Sequence, residues 1–378
     1  MTKLFVEFFK TEKASGIVLI LCTIISLSLA NSEIARSYLS IWQISFLGHP
    51  LLYWVNDGLM TLFFLLVGLE IEREIYVGEL SQPLNALFPI VAALGGMIVP
   101  ALLHLSLNAG TETQAGIAIP MATDIAFALG VLSLLGNRVP FALKVFLTAL
   151  AIIDDLGAII VIGLFYTSGL SISSLVIALL IVIVLASCNR LGIRNLFFYL
   201  GAGIFLWYFI HQSGIHSTIT GVILAFLIPF RKGDESSPSY KLQHGLHYLV
   251  PFFVLPLFAL ANTGLTISSN WYASLLHPNS AGIILGLVVG KFVGISLFSL
   301  LAVKMNLCSL PTTVTWKHIV AVSLLGGIGF TMSIFITVLA FQDPSLVEQS
   351  KIAILLASVI AGSIGYLGLR LTEPLHEL

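Results

Sequence analysis

Two adjacent carboxylates in the middle of a long apolar run constrain this chain more than any other feature. Asp154 and Asp155 lie in the apolar stretch 141–167, and about 20 apolar residues are enough to span a bilayer as a helix. At a rise of about 1.5 Å per residue, both aspartates would lie about 20 Å from either end of that helix. Burying a carboxylate at mid-membrane costs from about 3 to more than about 10 kcal/mol. We therefore expect the fold to supply a water-filled cavity and a partner.

The composition is that of a membrane protein. Of the 378 residues, 58% are hydrophobic and 9% are charged, whereas the charged fraction of soluble chains is about 25%. The net charge of −1, without basic blocks, gives no electrostatic site for nucleic acid. Backbone groups in lipid must be hydrogen-bonded internally, and no alternating pattern of about ten residues indicates a barrel, so the apolar runs predict helices. The sequence thus predicts an all-α polytopic membrane protein with twelve transmembrane helices, at residues 14–30, 51–69, 86–106, 116–135, 141–167, 172–188, 195–210, 214–230, 247–262, 281–303, 319–341 and 352–370.

Basic residues in the loops predict the orientation. If the odd-numbered connections lie outside, the opposite side holds thirteen basic residues and the outside holds two, Arg36 and Lys351. The positive-inside rule then places both termini in the cytoplasm. The first run ends like a cleavable signal peptide, but its length favours a retained span. The thirteen are Lys3, Lys10, Lys13, Arg73, Arg138, Arg190, Arg194, Arg231, Lys232, Lys241, Lys304, Lys317 and Arg370.

Charged residues near the ends of other runs each allow two interpretations. Asp57 is either an acid at the outer interface or a residue of an ion pathway. At the inner end of the same run, Glu70 and Arg73 form either an i,i+3 contact in a solvated turn or, with Glu74, a negative funnel that concentrates cations at the cytoplasmic mouth. His244 and His247, near the inner interface, are candidates for a response to pH.

Two runs contain signals for a broken helix. Pro120 removes a helical hydrogen bond four residues before Asp124, and irregular backbone at membrane depth is tolerated where it lines a cavity or is buried in protein. An unwound segment at 120–124 would bring Asp124 to the N-terminus of a half-helix, which favours negative charge; a proline kink in a continuous helix is the alternative. Three glycines within 326–329 predict a second break. Spans 3–5 and 10–12 then match in outline, as inverted repeats do in transporters.

Lys291 is the predicted partner for one of the central acids. It lies about ten residues into the tenth apolar run, and a nearby carboxylate stabilises the charged form of a buried lysine. A static structural ion pair is the alternative to a pair that opens during function. Asp155 shares one helical face with Thr148, whereas Asp154 points about 100° away. We therefore expect one acid to be open to the cavity and the other to be paired.

Six stretches of the chain together closely resemble the NhaA family of sodium/proton antiporters. By position, Asp155 resembles the principal cation ligand and Asp154 the carboxylate paired with Lys291. Thr123 and Asp124 resemble the unwound segment at which two helices cross. The stretches extend through most of the chain and are Trp54–Asp57, Phe63–Glu70, Gly95–Ala101, Ala122–Gly130, Asp154–Asp155 and Gly326–Ser333.

The resemblance implies a single transmembrane transporter unit over residues 1–378 with crossed, unwound fourth and eleventh spans. Its core bundle would lie at about 86–167 and 281–370, and the remaining spans would form an interface or scaffold. It implies a multi-pass protein of the bacterial inner membrane that exchanges cytoplasmic Na⁺ or Li⁺ for external H⁺, with no cofactor and no chemical catalysis. The stretch 31–50 is shorter than the one in which well-known members carry a dimer-forming β-hairpin, so a homodimer stays open.

The mechanism that we expect is competition between a cation and a proton. A dehydrated Na⁺ ion prefers hard oxygen ligands, and the Asp155 carboxylate can hold that ion or a proton. If Lys291 releases Asp154 when the cation arrives, a second proton leaves, so exchange would be electrogenic and would rise with pH. A sodium-coupled solute symporter is the main alternative. An intramembrane aspartyl protease built on Asp124 and Asp155 would have no need of Lys291, and titratable groups would obstruct a passive channel.

Overall fold

The structure, a computed structural model, is predominantly helical and describes residues 3–167, 169–232, 234–267, 271–311 and 313–372. A small antiparallel hairpin joins β1 (Ser45–Phe46) to β2 (His49–Pro50). In chain order the α-helices are α1 (Lys3–Ala30), α2 (Ala35–Ile41), α3 (Leu51–Tyr53), α4 (Met60–Tyr76), α5 (Pro83–Asn108), α6 (Ile125–Ser133), α7 (Phe141–Phe165), α8 (Ile172–Arg190), α9 (Leu196–Gln212), α10 (Ile219–Leu227), α11 (Pro238–Leu249), α12 (Leu255–Asn262), α13 (Trp271–Ser274), α14 (Pro278–Leu285), α15 (Lys291–Lys304), α16 (Trp316–Leu325), α17 (Phe330–Ala340) and α18 (Pro344–Leu371). Wider, π-helical turns join three of these pairs at Trp54–Leu59, Val250–Val254 and Gly286–Gly290, and 3₁₀ turns form at Glu79–Ser81, Glu112–Met121 and Gly136–Arg138.

Many of these helices are long and apolar enough to cross a bilayer. Within the described ranges there are eight such stretches, and a ninth if α16 and α17, bent by 47° at their junction, form one span. The sequence predicted twelve. Of the other predicted runs, the first belongs to α1, which has 28 residues, whereas α9 has 17 and α10 has nine. Seventeen helical residues extend about 26 Å, less than the roughly 30 Å of a hydrocarbon core.

Two compact units make up the chain. The first contains Met1–Ala35, Gln82–Ala158 and Asn262–Leu378, and the second contains Arg36–Ser81 and Ile159–Ala261. All five residues that the sequence assigns to ion binding lie in the first unit. The predicted division into a core bundle and a scaffold stays a prediction.

Small residues bring the helices of the first unit close together. At Gly95 of α5 a Cβ atom would lie 2.2 Å from the carbonyl oxygen of Gly294 in α15, and at Gly294 it would lie 2.1 Å from the oxygen of Gly95. Any side chain at either position would therefore force these two helices apart. This contact fixes the helix that carries Lys291 against α5.

Two interruptions of helical backbone lie in the first unit. The 3₁₀ segment Glu112–Met121 is followed by extended backbone until α6 begins at Ile125, so helical geometry is lost well before the predicted segment 120–124. In the second interruption, α16 ends at Leu325 and α17 begins at Phe330. The backbone N–H of Asp124 donates to the carbonyl of Ile328 at 2.7 Å. The two interruptions are thus bonded directly to each other.

The second unit is organised around α4 and α10. At Gly221 of α10 a Cβ atom would lie 2.4 Å from the carbonyl oxygen of Thr61, and at Gly68 of α4 it would lie 2.7 Å from the Cβ of Ala225. These close approaches hold the two helices together along their length. They also fix the positions of Asp57 and of the acidic stretch that ends α4.

Candidate functional site

The centre of the first unit is a buried ion pair. Lys291, the first residue of α15, donates to Asp154 Oδ2 on α7, and both side chains are inaccessible to solvent. Isolated charges at this depth would be very unfavourable, but a pair with additional hydrogen bonds offsets much of that cost. The π-helical turn Gly286–Gly290 ends immediately before Lys291, and such turns are frequent at functional sites.

Thr123 connects this ion pair to both helix interruptions. Its hydroxyl lies 2.8 Å from Asp154 Oδ2 and 2.8 Å from the carbonyl oxygen of Gly326, and it accepts a hydrogen bond of 3.0 Å from Lys291 Nζ. A hydroxyl has one hydrogen to donate, so Asp154 and Gly326 compete for it. A change in the charge of Asp154 would therefore change the hydrogen bond between Thr123 and the Gly326 carbonyl, in the second interruption.

Asp124 caps two helices at once. Its Oδ1 accepts from the Phe127 N–H at 2.9 Å, in the first turn of α6, and its Oδ2 accepts from the N–H of Thr331 at 3.0 Å and from the Thr331 hydroxyl, in the first turn of α17. Helix N-termini carry partial positive charge, and two of them meet on one carboxylate that is 2% exposed. The sequence predicted one such contact, and the structure has two.

Asp155 follows Asp154 on α7 and is 1% exposed. In the described part of the chain, packed side chains cover both carboxylates, so the expectation of a water-filled cavity around them is wrong. Close to them, a Cβ at Gly157 would lie 2.1 Å from Met97 Sδ, which shows how tightly α5 covers this part of α7. Thr148, which the sequence places on the same helical face as Asp155, is 5% exposed and donates to the carbonyl of Lys144 in its own helix. Ions can reach these acids only if packed groups move.

The acidic end of α4, in the second unit, is buried. Glu70, Glu72 and Glu74 are 4–7% exposed, so the solvated turn that the sequence allowed is wrong. Arg73 pairs with its neighbour Glu74 at 3.2 Å, whereas the sequence proposed a contact with Glu70. The reason is that α4 continues to Tyr76 and keeps these residues inside the helix bundle.

Helix α11 packs against this acidic end. Ser239 donates to Glu72 Oε2 at 2.9 Å, which sequence reasoning missed because serine spacing gives no signal for such a contact. Of the two histidines on α11, His247 is buried and His244 is exposed. Both rings contact Tyr248.

Asp57 lies within the π-helical turn Trp54–Leu59 of the second unit. Ser217 donates to Asp57 Oδ1 at 2.6 Å, and His216 Nε2 lies 3.6 Å from the same oxygen. The sequence did not connect Asp57 with His216, since about 160 residues separate them. These contacts place Asp57 inside its unit, away from a freely solvated helix end.

A buried polar network in the first unit was also missed. His104 Nε2 lies 3.3 Å from Asn279 Oδ1, and Asn279 Nδ2 donates to Ser350 Oγ at 2.8 Å. Because the amide nitrogen is bonded to the serine, its oxygen faces the histidine, which makes Nε2 the protonated ring nitrogen. The network links α5, α14 and α18. A single polar residue in each apolar run gives no signal that the three meet.

Comparison with known proteins finds similarity over nearly the whole chain. The family model for Na+/H+ antiporter 1 matches residues 6–369. The Na(+)/H(+) antiporter NhaA 1 of Flavobacterium johnsoniae is 58% identical over 370 residues, which cover 98% of this chain and 97% of that protein. The Na(+)/H(+) antiporter NhaA of Flavobacterium psychrophilum is 59% identical (98% and 96% covered), and that of Dechloromonas aromatica is 57% identical (98% and 96% covered).

Proposed function

The chain belongs to the Na+/H+ antiporter 1 family, and from this premise we propose that it exchanges cytoplasmic Na⁺ or Li⁺ for external H⁺ across a bacterial inner membrane. It is an ion antiporter and not a chemical catalyst. The family favours this function over the sodium-coupled symporter that the sequence left open. The ions are substrates of the transporter, and the proposal requires no cofactor.

The observation that carries the proposal is the number of charges at the buried centre. Asp154 and Asp155 are adjacent and buried, and one lysine, Lys291, is bonded to Asp154. The ion pair is neutral as a whole, and either a bound cation or a proton can neutralise the adjacent Asp155 carboxylate. Competition between Na⁺ and H⁺ for Asp155 then couples their movements in opposite directions.

Release of Lys291 from Asp154 supplies the second proton. A cation bound at Asp155 raises the positive charge beside Lys291, and like charge favours loss of the lysine proton. The cycle would then move two protons for each Na⁺, so that one net charge crosses the membrane. Because Na⁺ binding requires deprotonated carboxylates, exchange should increase with pH.

The two helix interruptions support a role in opening the site. We propose that they belong to the fourth and eleventh of twelve spans, and that these spans cross where Asp124 caps α6 and α17. Carbonyl groups freed by broken backbone, such as that of Gly326 beside Thr123, are suitable oxygen ligands for Na⁺. Short half-helices also move with less loss of hydrogen bonds than continuous ones.

The acidic end of α4 and the histidines of α11 are proposed to serve the cytoplasmic mouth. Negative charge on Glu70 and Glu74 would attract cations, moderated by Arg73. His244 and His247 would adjust that charge with pH. Both termini are proposed to be cytoplasmic, from the uneven distribution of basic residues. The homodimer stays a prediction.

Everted membrane vesicles with a pH-sensitive dye test the proposal directly. After respiration acidifies the lumen, addition of NaCl or LiCl should release protons in vesicles with the wild-type protein, and KCl should not. Asp155→Asn should abolish the response, because the amide holds neither Na⁺ nor a proton as a carboxylate does.

A matched control is Asp234→Asn. Hydrogen bonds from the Ser236 hydroxyl and N–H lower the pKa of this loop carboxylate, which lies 3.7 Å from Arg194 and is 28% exposed, so the variant removes an ionised carboxylate outside the buried centre. This variant should respond like the wild type. Sodium-driven proton release that persists in Asp155→Asn would remove the central ligand from the proposal.

A further inference from the structure

A groove runs between α16 and α18 on the surface of the first unit. The volume of the groove is about 440 Å³, within the range of small-ligand sites. On α16 it is lined by Lys317, Val320 and Leu324, and on α18 by Ile364, Leu367 and Leu371, among others. Apart from Lys317 these six are apolar, and Val320, Leu367 and Leu371 are 40%, 53% and 85% exposed. The groove is an apolar trough that is open to its surroundings.

The trough exists because small residues form its floor. A Cβ at Gly365 would lie 2.7 Å from Leu325 Cδ2, and a Cβ at Gly368 would lie 3.2 Å from Ala321 Cβ. The helices therefore approach closely along this line, while larger side chains one helical turn away rise on both sides. The lining extends over eight residues of each helix, from Lys317 to Leu324 and from Ile364 to Leu371, which corresponds to about 11 Å. This is the shape of a site for an extended hydrocarbon chain.

One end of the trough is positively charged. Lys317 lies in the first turn of α16, directly after Trp316, and Arg370 lies in the last turn of α18. Tryptophan and lysine at a helix end are typical of the interface between the membrane and water. Lys317 is exposed, and among the described residues it forms no ion pair. Its ammonium group is available to an anion at the level of lipid headgroups.

We propose that this groove binds an anionic phospholipid. One acyl chain lies along the trough between α16 and α18, and the phosphate contacts Lys317 Nζ. The occupant is distinguished by charge: a phosphatidylglycerol headgroup carries net negative charge, whereas the choline of phosphatidylcholine places a cation near Lys317, the charged residue of the lining. The groove therefore selects between two lipids that have the same chains and the same phosphate.

Native mass spectrometry of the purified full-length protein tests the proposal. The protein is mixed with equal amounts of dioleoyl phosphatidylglycerol and dioleoyl phosphatidylcholine, and the bound lipids are counted. We expect phosphatidylglycerol to be favoured about fivefold, the effect expected of one basic side chain near a membrane surface. Lys317→Gln should bring that ratio close to one, and Lys317→Arg should keep it.

The matched control is Arg370→Gln, which removes a cation from the same end of the groove without changing its lining. This variant should keep most of the preference, with an unchanged melting temperature in all three variants. A ratio in Lys317→Gln that equals that of the wild type would overturn the proposal. So would competition by glycerophosphoglycerol, since a headgroup without chains would then be the ligand.

Two other occupants are tested in the same experiment. One is the segment 373–378 of this chain, which lies outside the described residues. If a variant that ends at Thr372 binds phosphatidylglycerol much more strongly than the full chain, and Lys317→Gln cancels the gain, the segment occupies the groove and the proposal fails. The other is a second copy of the chain. Conversion of a dimer to a monomer by Leu367→Ser, with lipid binding unchanged, would assign the groove to that copy.

Discussion

One lysine beside two adjacent aspartates determines what the centre of this protein can do. Asp154, Asp155 and Lys291 are 0–1% exposed, so water contributes little to the solvation of their charges. A proton or ion that enters this centre must therefore balance a charge that is already there. Thr123 bonds to both members of the ion pair. The hydrogen bonds of the neutral Thr123 side chain therefore depend on which of the two charges is present.

The ion pair should show strong coupling between its members. Lys291→Met leaves Asp154 charged and buried, which costs about 3–5 kcal/mol unless the acid takes up a proton. Removing both charges, as in Lys291→Met with Asp154→Asn, is close to neutral in other proteins. We expect the single variant to unfold several degrees below the wild type in detergent, and the double variant to recover more than half of the loss. Equal melting temperatures for the single and double variants would show that the pair is not coupled.

The Thr123 hydroxyl should contribute to ion binding. Thr123→Val keeps the shape of the side chain but leaves Asp154 Oδ2 and the Gly326 carbonyl without that donor. A hydrogen bond to a charged group is worth about 1.5–3 kcal/mol, so the Na⁺ concentration for half-maximal exchange should rise about tenfold or more. Dye measurements over a range of NaCl concentrations give this value. Thr123→Ser, which retains the hydroxyl, is the control, and wild-type behaviour of the valine variant would exclude the role.

Much of this site could be identified from single residues in the sequence, but their contacts could not. A carboxylate or lysine in an apolar run is conspicuous, so the sequence draws attention to Asp124, Asp154, Asp155 and Lys291 as candidates. The bonds of Thr123 depend on which backbone carbonyl faces it across two helices, and no local pattern encodes that. The cavity was predicted from the cost of burying an isolated acid. It was wrong for this conformation because the pairing and tight packing, seen at Met97 against Gly157, remove the acids from solvent.

At the scale of helices, the first unit depends on two short elements whose N-termini face one carboxylate. The positive ends of α6 and α17 would repel each other if Asp124 did not lie between them. Proline and clustered glycine disfavour continuous helices, so the sequence predicted an interruption in each of two runs, but the first begins at Glu112, before the predicted segment 120–124. The sequence did not reveal the π-helical turns at Trp54–Leu59 and Gly286–Gly290. Those turns widen the helix by one residue and depend on tertiary packing.

Asp124→Asn should destabilise both half-helices. The amide has one oxygen, so it can accept from Phe127 or from Thr331 but not from both as the carboxylate does. The lost cap costs about 0.5–2 kcal/mol, and the loss of negative charge between two helix N-termini adds to it. We expect a lower melting temperature and reduced exchange. Hydrogen exchange of the backbone amides should increase in the first turns of both α6 and α17, whereas an increase in one helix alone would contradict a shared cap.

Gly95→Ala should disrupt the contact between α5 and α15. The new methyl group would lie 2.2 Å from the Gly294 carbonyl oxygen, so the helices must separate and displace Lys291. Gly201→Ala in α9 is the control, because a Cβ there meets nothing within 4 Å and alanine is the better helix former by about 1 kcal/mol. The first variant should lose thermal stability and exchange, and the second should lose neither. Equal stability of the two would show that the close approach is not required.

For the whole molecule, the balance of charge over one transport cycle decides what the protein can accomplish. Exchange of one Na⁺ for one H⁺ would be driven by the pH gradient alone. Exchange for two protons, as we propose for Asp155 and the Asp154–Lys291 pair, would add the membrane potential as a driving force. In this proposal the acidic end of α4 and the histidines of α11 would change the rate of exchange, but not the number of charges that cross in each cycle.

The membrane potential should therefore drive Na⁺ movement even without a pH gradient. One net charge moved across 100 mV is worth about 2.3 kcal/mol, which corresponds to an Na⁺ gradient of about 50-fold at equilibrium. In proteoliposomes with equal pH on both sides, a negative potential set inside by valinomycin and a K⁺ gradient should expel ²²Na⁺ from the lumen, and a positive potential should draw it in. Liposomes with Asp155→Asn control for leakage. If the distribution of ²²Na⁺ does not respond to the potential in the wild type, the exchange is one for one, and Lys291 and Asp154 form a structural pair that does not release a proton.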